Sequence, residues 1–180
     1  MLFISKNKWC DDLKLKLNEN NWDEIFQTCF KTVTDNNLVW FQYKILHRIL
    51  GTQRLLHQIG KSDSDSCLSC CMATETLAHL FCWCSKAQKI WNDLKDWIKE
   101  KTGIAIHFDS LNIIMGYLNR DNLFLPINTI ILVTKYYIYS NSRKKIPFNI
   151  LDLQRKIKET YNEQILVSRL NFSDFKFEKK

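Results

Sequence analysis

The sequence predicts an all-α protein: a small irregular helical bundle carrying an inserted lobe rich in cysteine and histidine. Three observations lead there. Only four glycines and two prolines occur in 180 residues, which leaves few turns. Apolar residues recur at three- and four-residue intervals along most of the chain. Hydrophobic residues make up 46% and aromatics 13%, enough to order a core. A chain of this length supports one modest core, so segments 1–62, 63–101 and 102–180 are expected to form one compact unit. No stretch reaches the roughly eighteen apolar residues of a membrane span. The best, Ile127 to Tyr139, is interrupted by Asn128 and Lys135.

Residues 9–18 are ambiguous. Leu13, Leu15 and Leu17 alternate with Lys14 and Lys16, which suits a short strand or a frayed helix. Asn21-Trp22-Asp23-Glu24 then has the form of a capping box, followed by an amphipathic stripe of Trp22, Ile25, Phe26, Cys29 and Phe30. A second helix is expected from Asp35 to Leu50, with Gly51 as its left-handed cap. Its core stripe is Leu38, Phe41, Ile45 and Ile49, and Trp40, Lys44, His47 and Arg48 form another stripe, aromatic and basic together. Thr52 caps a short helix through Ile59, closed by Gly60 and carrying Arg54.

After Cys84, residues Ala87, Ile90, Trp91, Leu94, Trp97 and Ile98 line one face of a helix ended by Thr102-Gly103. A smaller helix spans Ser110 to Gly116. Pro126 fits the first turn of a helix holding Ile127, Ile130, Ile131, Thr134 and Ile138, although this β-branched run also permits a strand. Pro147 interrupts, and Ile150, Leu153, Ile157, Tyr161 and Ile165 mark a last helix.

Five of the seven cysteines fall within eighteen residues, from Cys67 to Cys84, with His79 among them. Cys67, Cys70, His79 and Cys84 give Cys-x2-Cys-x8-His-x4-Cys, the donor set of a structural Zn2+ site, with two ligands from a tight turn and two from a short helix. Cys71 can replace Cys70 as the second ligand. Either set fills four positions, which argues for a staple rather than a catalytic metal. A disulfide framework fits less well: seven is odd, and Met1-Leu-Phe-Ile-Ser is too short an apolar run for a signal peptide before Lys6. A redox pair at Cys67 and Cys70 would follow a βαβ pattern, and here a polar loop precedes it. Cys82 reads as a small apolar residue. Metal binding is expected to order Leu77, Phe81 and Trp83 against the neighbouring helices.

The formal net charge of +7 is unevenly placed. Residues 135–180 hold eleven Lys or Arg against five Asp or Glu, whereas the preceding residues are nearly balanced. Such a basic segment points to a polyanionic partner, RNA or DNA. Candidate contacts are Trp40, Lys44, Arg48, Arg54, Lys86 and Lys89, through stacking on bases and neutralising of phosphates. The plainer alternative makes Trp40 a core residue and the basic side chains a solvated face.

Trp40-Phe41-Gln42-Tyr43-Lys44-Ile45-Leu46-His47-Arg48-Ile49-Leu50-Gly51-Thr52, Cys67-x2-Cys70, Glu75-Thr76-Leu77-Ala78-His79-Leu80-Phe81-x2-Cys84 and Trp91 together resemble the reverse-transcriptase zinc-binding domain of LINE-type (non-LTR) retrotransposon polyproteins. The similarity covers roughly residues 22 to 98, and Ile131 to Tyr139 looks like a later helix of the same region. Cys71 departs from the family, which often has Gly or a polar residue there. The resemblance implies a helical accessory region beside the polymerase, with Cys67, Cys70, His79 and Cys84 as metal ligands. Its partners would be element RNA or target DNA and the rest of the polyprotein. Its setting would be an intracellular ribonucleoprotein in nucleus and cytoplasm.

No catalytic residues are expected. Trp9-Cys10-Asp11-Asp12 superficially resembles a polymerase metal motif, but a two-metal site needs a further carboxylate and a supporting sheet. His47, His57 and His107 are isolated in sequence and read as packed or exposed residues.

Overall fold

The computed structural model describes residues 2–14, 16–118 and 124–177. The side chains of 2–5, 29–30 and 168–177 lie outside that description, so Leu15 and the Cys29 and Phe30 side chains of the expected stripes are not described. Among the described residues the protein is all-α: eight α-helices and one π-helical turn, with a single isolated antiparallel bridge between Ser66 and Thr74. The helices are α1 (Leu2–Leu13), α2 (Glu19–Thr32), α3 (Asn36–Leu46), α4 (Gln53–Gln58), α5 (Ser85–Thr102), α6 (Ser110–Met115), α7 (Leu125–Lys144) and α8 (Ile150–Phe177). The π-helical turn, His79–Trp83, precedes α5. No helix among the described residues is long and apolar enough to cross a membrane.

The ambiguous N-terminal segment is a helix, ended where Lys14 takes a left-handed conformation (φ 53°). Its Trp9 is fully buried, and the indole Nε1 donates to the Leu46 carbonyl (3.0 Å), one of the acceptors freed at the end of α3. The α2 cap lies three residues before the expected Asn21. Asn18 Oδ1 accepts from the Asn21 amide (2.9 Å) and Asn21 Oδ1 accepts from the Asn18 amide (3.1 Å), so Asn21 is the reciprocal partner. Trp22 and Ile25 are buried on the inner face.

Asp35 caps α3 as expected, but α3 stops at Leu46, short of Leu50, and its left-handed residue is Arg48 (φ 59°), not Gly51. The Arg48 amide donates to Ile45 O (2.9 Å) and the Ile49 amide to Lys44 O (2.9 Å), the paired bonds of a Schellman turn. A non-glycine residue is held here by its side chain. The guanidinium lies 4.4 Å from the Trp9 ring centroid and pairs with Asp12 at 2.5 Å. That turn also carries Ile49 out of the core stripe, leaving it 51% exposed. Because alanine keeps the left-handed penalty and glycine does not, Arg48→Gly is expected to destabilise about 1 kcal/mol less than Arg48→Ala in denaturant melts. Equal losses would show that the turn imposes no strain.

The central member is α7, which packs against α2, α3, α8 and the π-helical turn. Pro126 sits in its first turn as expected, and Ile131, Leu132, Val133, Tyr137 and Ile138 are buried. Lys135, which the sequence offered as an interruption, is 2% exposed. Its Nζ donates to Gln42 Oε1 (2.5 Å) and Ile114 O (3.0 Å), so the charge ties α3 and α6 to α7. Leu153 and Ile157 seal the start of α8, whereas Tyr161, expected on that stripe, is 56% exposed. One continuous apolar cluster runs from Trp9 to Ile157 and includes the buried cysteines of the metal lobe.

Candidate metal centre

The lobe begins as a knuckle. The Ser66–Thr74 bridge and the Cys67 N–H to Ala73 O bond (2.8 Å) close the loop, and the Cys71 amide donates to Cys67 O (2.8 Å). Cys71 itself adopts φ 56° and is exposed, and it is Cys70, not Cys71, that joins the four-donor cluster.

The other half is the π-helical turn. On a regular α-helix His79 and Cys84, five residues apart, would point about 140° away from each other. The Cys84 amide instead donates to the His79 carbonyl (2.7 Å), an i→i+5 bond whose wider turn brings both onto one face. Thr76 Oγ1 accepts from the His79 amide (2.9 Å) and starts the turn. Trp91 on α5 closes it from outside, its Nε1 donating to Phe81 O (2.8 Å). Leu80 and Phe81 are fully buried and Leu77 nearly so, which anchors the turn in the core. Trp83, expected to pack inward, is 49% exposed.

These two pieces bring Cys67, Cys70, His79 and Cys84 together, with all four donor atoms within 4.8 Å of one another. Cys67 Sγ lies 3.9 Å from Cys84 Sγ, and Cys70 Sγ lies 3.3 Å from His79 Nε2. A tetrahedral Zn2+ with ordinary bond lengths separates its ligand atoms by about 3.6–3.8 Å. The Cys67–Cys84 separation is far longer than a disulfide bond of about 2.05 Å. Three sulfurs and one imidazole on a sphere of this size suit Zn2+ and leave no ligand position open to solvent chemistry.

The electrostatics favour the ligating form at Cys84 and His79 but not at Cys67. The hydrogen bond between Cys84 and Cys67 raises the Cys67 thiol well above its ordinary range and lowers Cys84, assisted by the Ala87 and Lys86 amides at the start of α5. Burial lowers His79 below its ordinary 6.5 and favours the neutral, ligating ring. Cys82 sits apart from the donors, buried beside Ser110, and its thiol is pushed up to about 12 by burial, so it stays an inert thiol. For His79 the unfolded chain takes up the proton first as pH falls below 6.5, so folding stability is present above 6.5 and lost below it. Protonation also competes with metal on all four donors. Zinc release, followed with a chromogenic chelator, is therefore expected to rise steeply on acidification from pH 7, and a flat profile would contradict this ligand set.

A carboxylate that the sequence offered only as part of a motif organises the lobe. Glu75 is fully buried. Its Oε1 accepts from the Gln53 amide at the start of α4 (2.9 Å) and its Oε2 from the Leu68 amide next to Cys67 (3.1 Å). Arg143 on α7 completes the arrangement by pairing with Oε1. One side chain thus joins α4, the knuckle and α7. A second link runs between Ser69 Oγ and Ser142 Oγ (3.0 Å). Glu75 gave one signal in sequence, a carboxylate set among apolar and ligand residues, but Arg143 and Ser142 lie some seventy residues away and gave none.

The six candidate nucleic-acid residues do not form one surface. Lys86 and Lys89 are exposed on α5 and line a groove of about 550 Å³ together with Leu68, Ser69 and Lys145. Arg48 and Arg54 line a second concavity of about 410 Å³ that also holds Lys8, Asp11 and Asp12. Trp40, 57% exposed, and Lys44 stand on the outer face of α3 and line neither. Asp11 and Asp12 are on the exposed face of α1, and His57 and His107 are exposed and outside the donor cluster. Half-buried His47 packs against Phe26 and Tyr43.

No protein-family model and no curated protein sequence matches the chain. What stands is a helical protein with a Cys3His cluster of zinc-site dimensions.

Proposed function

We propose that the chain is a zinc-stapled, nucleic-acid-binding accessory domain of the kind carried by LINE-type (non-LTR) retrotransposon reverse transcriptases. In this reading it contacts element RNA or target DNA inside the cell, in a ribonucleoprotein with the rest of the polyprotein, and performs no catalysis of its own. The observation that carries the reading is the Cys67–Cys70–His79–Cys84 cluster, with several positions of the resembling motif given a physical task. Glu75 clamps the knuckle, Thr76 starts the turn, His79 and Cys84 supply donors, Leu80 and Phe81 fill the core, and Trp91 holds the turn's carbonyl. Cys71 occupies a left-handed position, which accounts for the glycine often found there in the family. Four protein donors around one ion support a structural rather than a reactive metal.

A second reading is a zinc-stapled protein-interaction or scaffolding module, captured in a host gene or surviving as a retroelement remnant. It draws on the outer face of α8, where Leu151, Tyr161 and Leu166 are each more than half exposed. The two readings part on one measurement. The purified, zinc-loaded chain is expected to shift single-stranded RNA with an affinity that falls linearly in log–log terms as salt rises. Absence of binding even at low salt would discard the first reading and leave the second.

A further inference from the structure

The groove beside the metal lobe combines features that each of its walls alone lacks. One wall is the knuckle, contributing Leu68 and Ser69 from between ligands Cys67 and Cys70. The opposite wall is the first turns of α5, with Lys86 and Lys89 projecting from it. The third is the α7–α8 corner. There Lys145 adopts a left-handed conformation (φ 55°) and its amide donates to Ser142 O (3.1 Å), while the Ile146 amide donates to Asn141 O (2.9 Å). This sharp end of α7 sets Lys145 and Ile146 on the groove's rim and Phe148 in its wall.

The lining charge is one-sided: Lys86, Lys89 and Lys145 against a single acid, Asp93. None of the three lysines is held in an ion pair among the described residues. Between them lies apolar surface, with Ile146 48% exposed and Phe148 half-buried, its ring tilted toward Tyr137 at 6.2 Å between centroids. At about 550 Å³ the concavity falls within the roughly 300–1,000 Å³ that small-molecule-sized ligands occupy. Ammonium groups beside an aromatic side chain are complementary to a phosphodiester strand with a splayed base. A base-paired duplex presents no free base face to such a groove.

We infer that this groove is a binding site for single-stranded nucleic acid, in which Lys86, Lys89 and Lys145 take backbone phosphates while an unpaired base seats on Phe148. The inference rests on the nucleic-acid reading above and narrows it, since it places the contact at the metal lobe and the α7–α8 corner rather than on α3 or beside Arg48. The knuckle wall is held to α7 by the Ser69–Ser142 hydroxyl pair (3.0 Å).

The test is fluorescence anisotropy with a short labelled oligouridylate and the full zinc-loaded chain. Lys86→Gln/Lys89→Gln/Lys145→Gln is compared with Lys95→Gln/Lys99→Gln/Lys101→Gln, which removes exposed α5 lysines outside the groove. Circular dichroism and zinc content confirm that both variants fold. The groove variant is expected to bind on the order of tenfold more weakly and to lose about 2 from the log–log salt slope, with the control close to wild type. Phe148→Leu keeps an apolar side chain and is expected to lose about fivefold for the oligouridylate and nothing for an abasic strand of equal length.

Wild-type binding with the two triple variants indistinguishable would overturn the groove while leaving the nucleic-acid reading intact. Competition by poly-glutamate as effective as by oligouridylate would overturn it in favour of an acidic peptide. A wild-type chain that binds no strand at all would remove both.

Discussion

Cys84→Ser is expected to abolish stoichiometric zinc binding and to leave the lobe unfolded at ambient temperature. Cys84 is fully buried, supplies one of four donors, and begins α5. Serine is a good residue to start a helix, so α5 loses nothing locally and the effect isolates the metal. A structural Zn2+ contributes on the order of 10 kcal/mol of apparent folding free energy at neutral pH. That is comparable to the entire stability of a typical domain, about 5–15 kcal/mol. Elemental analysis should fall from one zinc per chain to none, and near-ultraviolet circular dichroism from the tryptophans around the lobe should collapse. Cys70→Ser is expected to behave alike, whereas Cys71→Ser should keep both zinc and melting temperature because Cys71 lies exposed outside the cluster. One zinc retained by Cys84→Ser with an unaltered melt would refute the assignment.

Glu75→Gln is expected to destabilise the fold by about 3–5 kcal/mol, as removing one partner of a buried ion pair does. The loss has two sources. The Arg143 side chain, only 20% exposed, would keep its charge without a counter-charge. The amide group would also turn an NH2 toward either the Gln53 or the Leu68 N–H that the carboxylate now satisfies. Leu68 follows a ligand, so loosening its amide should also lower zinc affinity, by about 10–100-fold for an outer partner of this kind. A cycle with Arg143→Met separates pair from scaffold. Glu75→Gln/Arg143→Met should recover part of the loss because no uncompensated charge remains, and strictly additive losses would show that the pair does not act as a unit.

Much of this architecture was legible in the sequence because its signals are local. Thr52 and Asp35 stand where a side-chain oxygen reaches amides two or three residues on. Gly60, Gly103 and Gly116 take the positive-φ positions that close α4, α5 and α6. Most of the donor set was legible for the same reason, although spacing alone left Cys70 and Cys71 open as the second donor and only the fold selects Cys70. What escaped was fixed by partners distant in the chain. Gly51 looked like the end of α3, but a Trp9 ring and an Asp12 carboxylate nearly forty residues earlier stabilise Arg48 in its place. Lys135 read as a break in an apolar run because Gln42 and Ile114 are remote in sequence. Asn21 has the look of a cap in sequence yet is the second half of one, since two asparagines three apart can serve either way round.

The π-helical turn sets two demands on one short segment against each other. Removing a single residue between His79 and Cys84 would let the backbone close an ordinary i→i+4 ladder into α5, a more regular and longer helix. The same deletion would change the angular relation between imidazole and thiolate and swing the inward Leu80–Phe81 pair relative to the indole of Trp91. Protein contacts hold the turn in its wider form: the Thr76 hydroxyl at its start, the Trp91 indole on the Phe81 carbonyl, and the buried Leu80–Phe81 pair. Indels within these five positions should therefore be the least tolerated in the chain, even where they make a better helix.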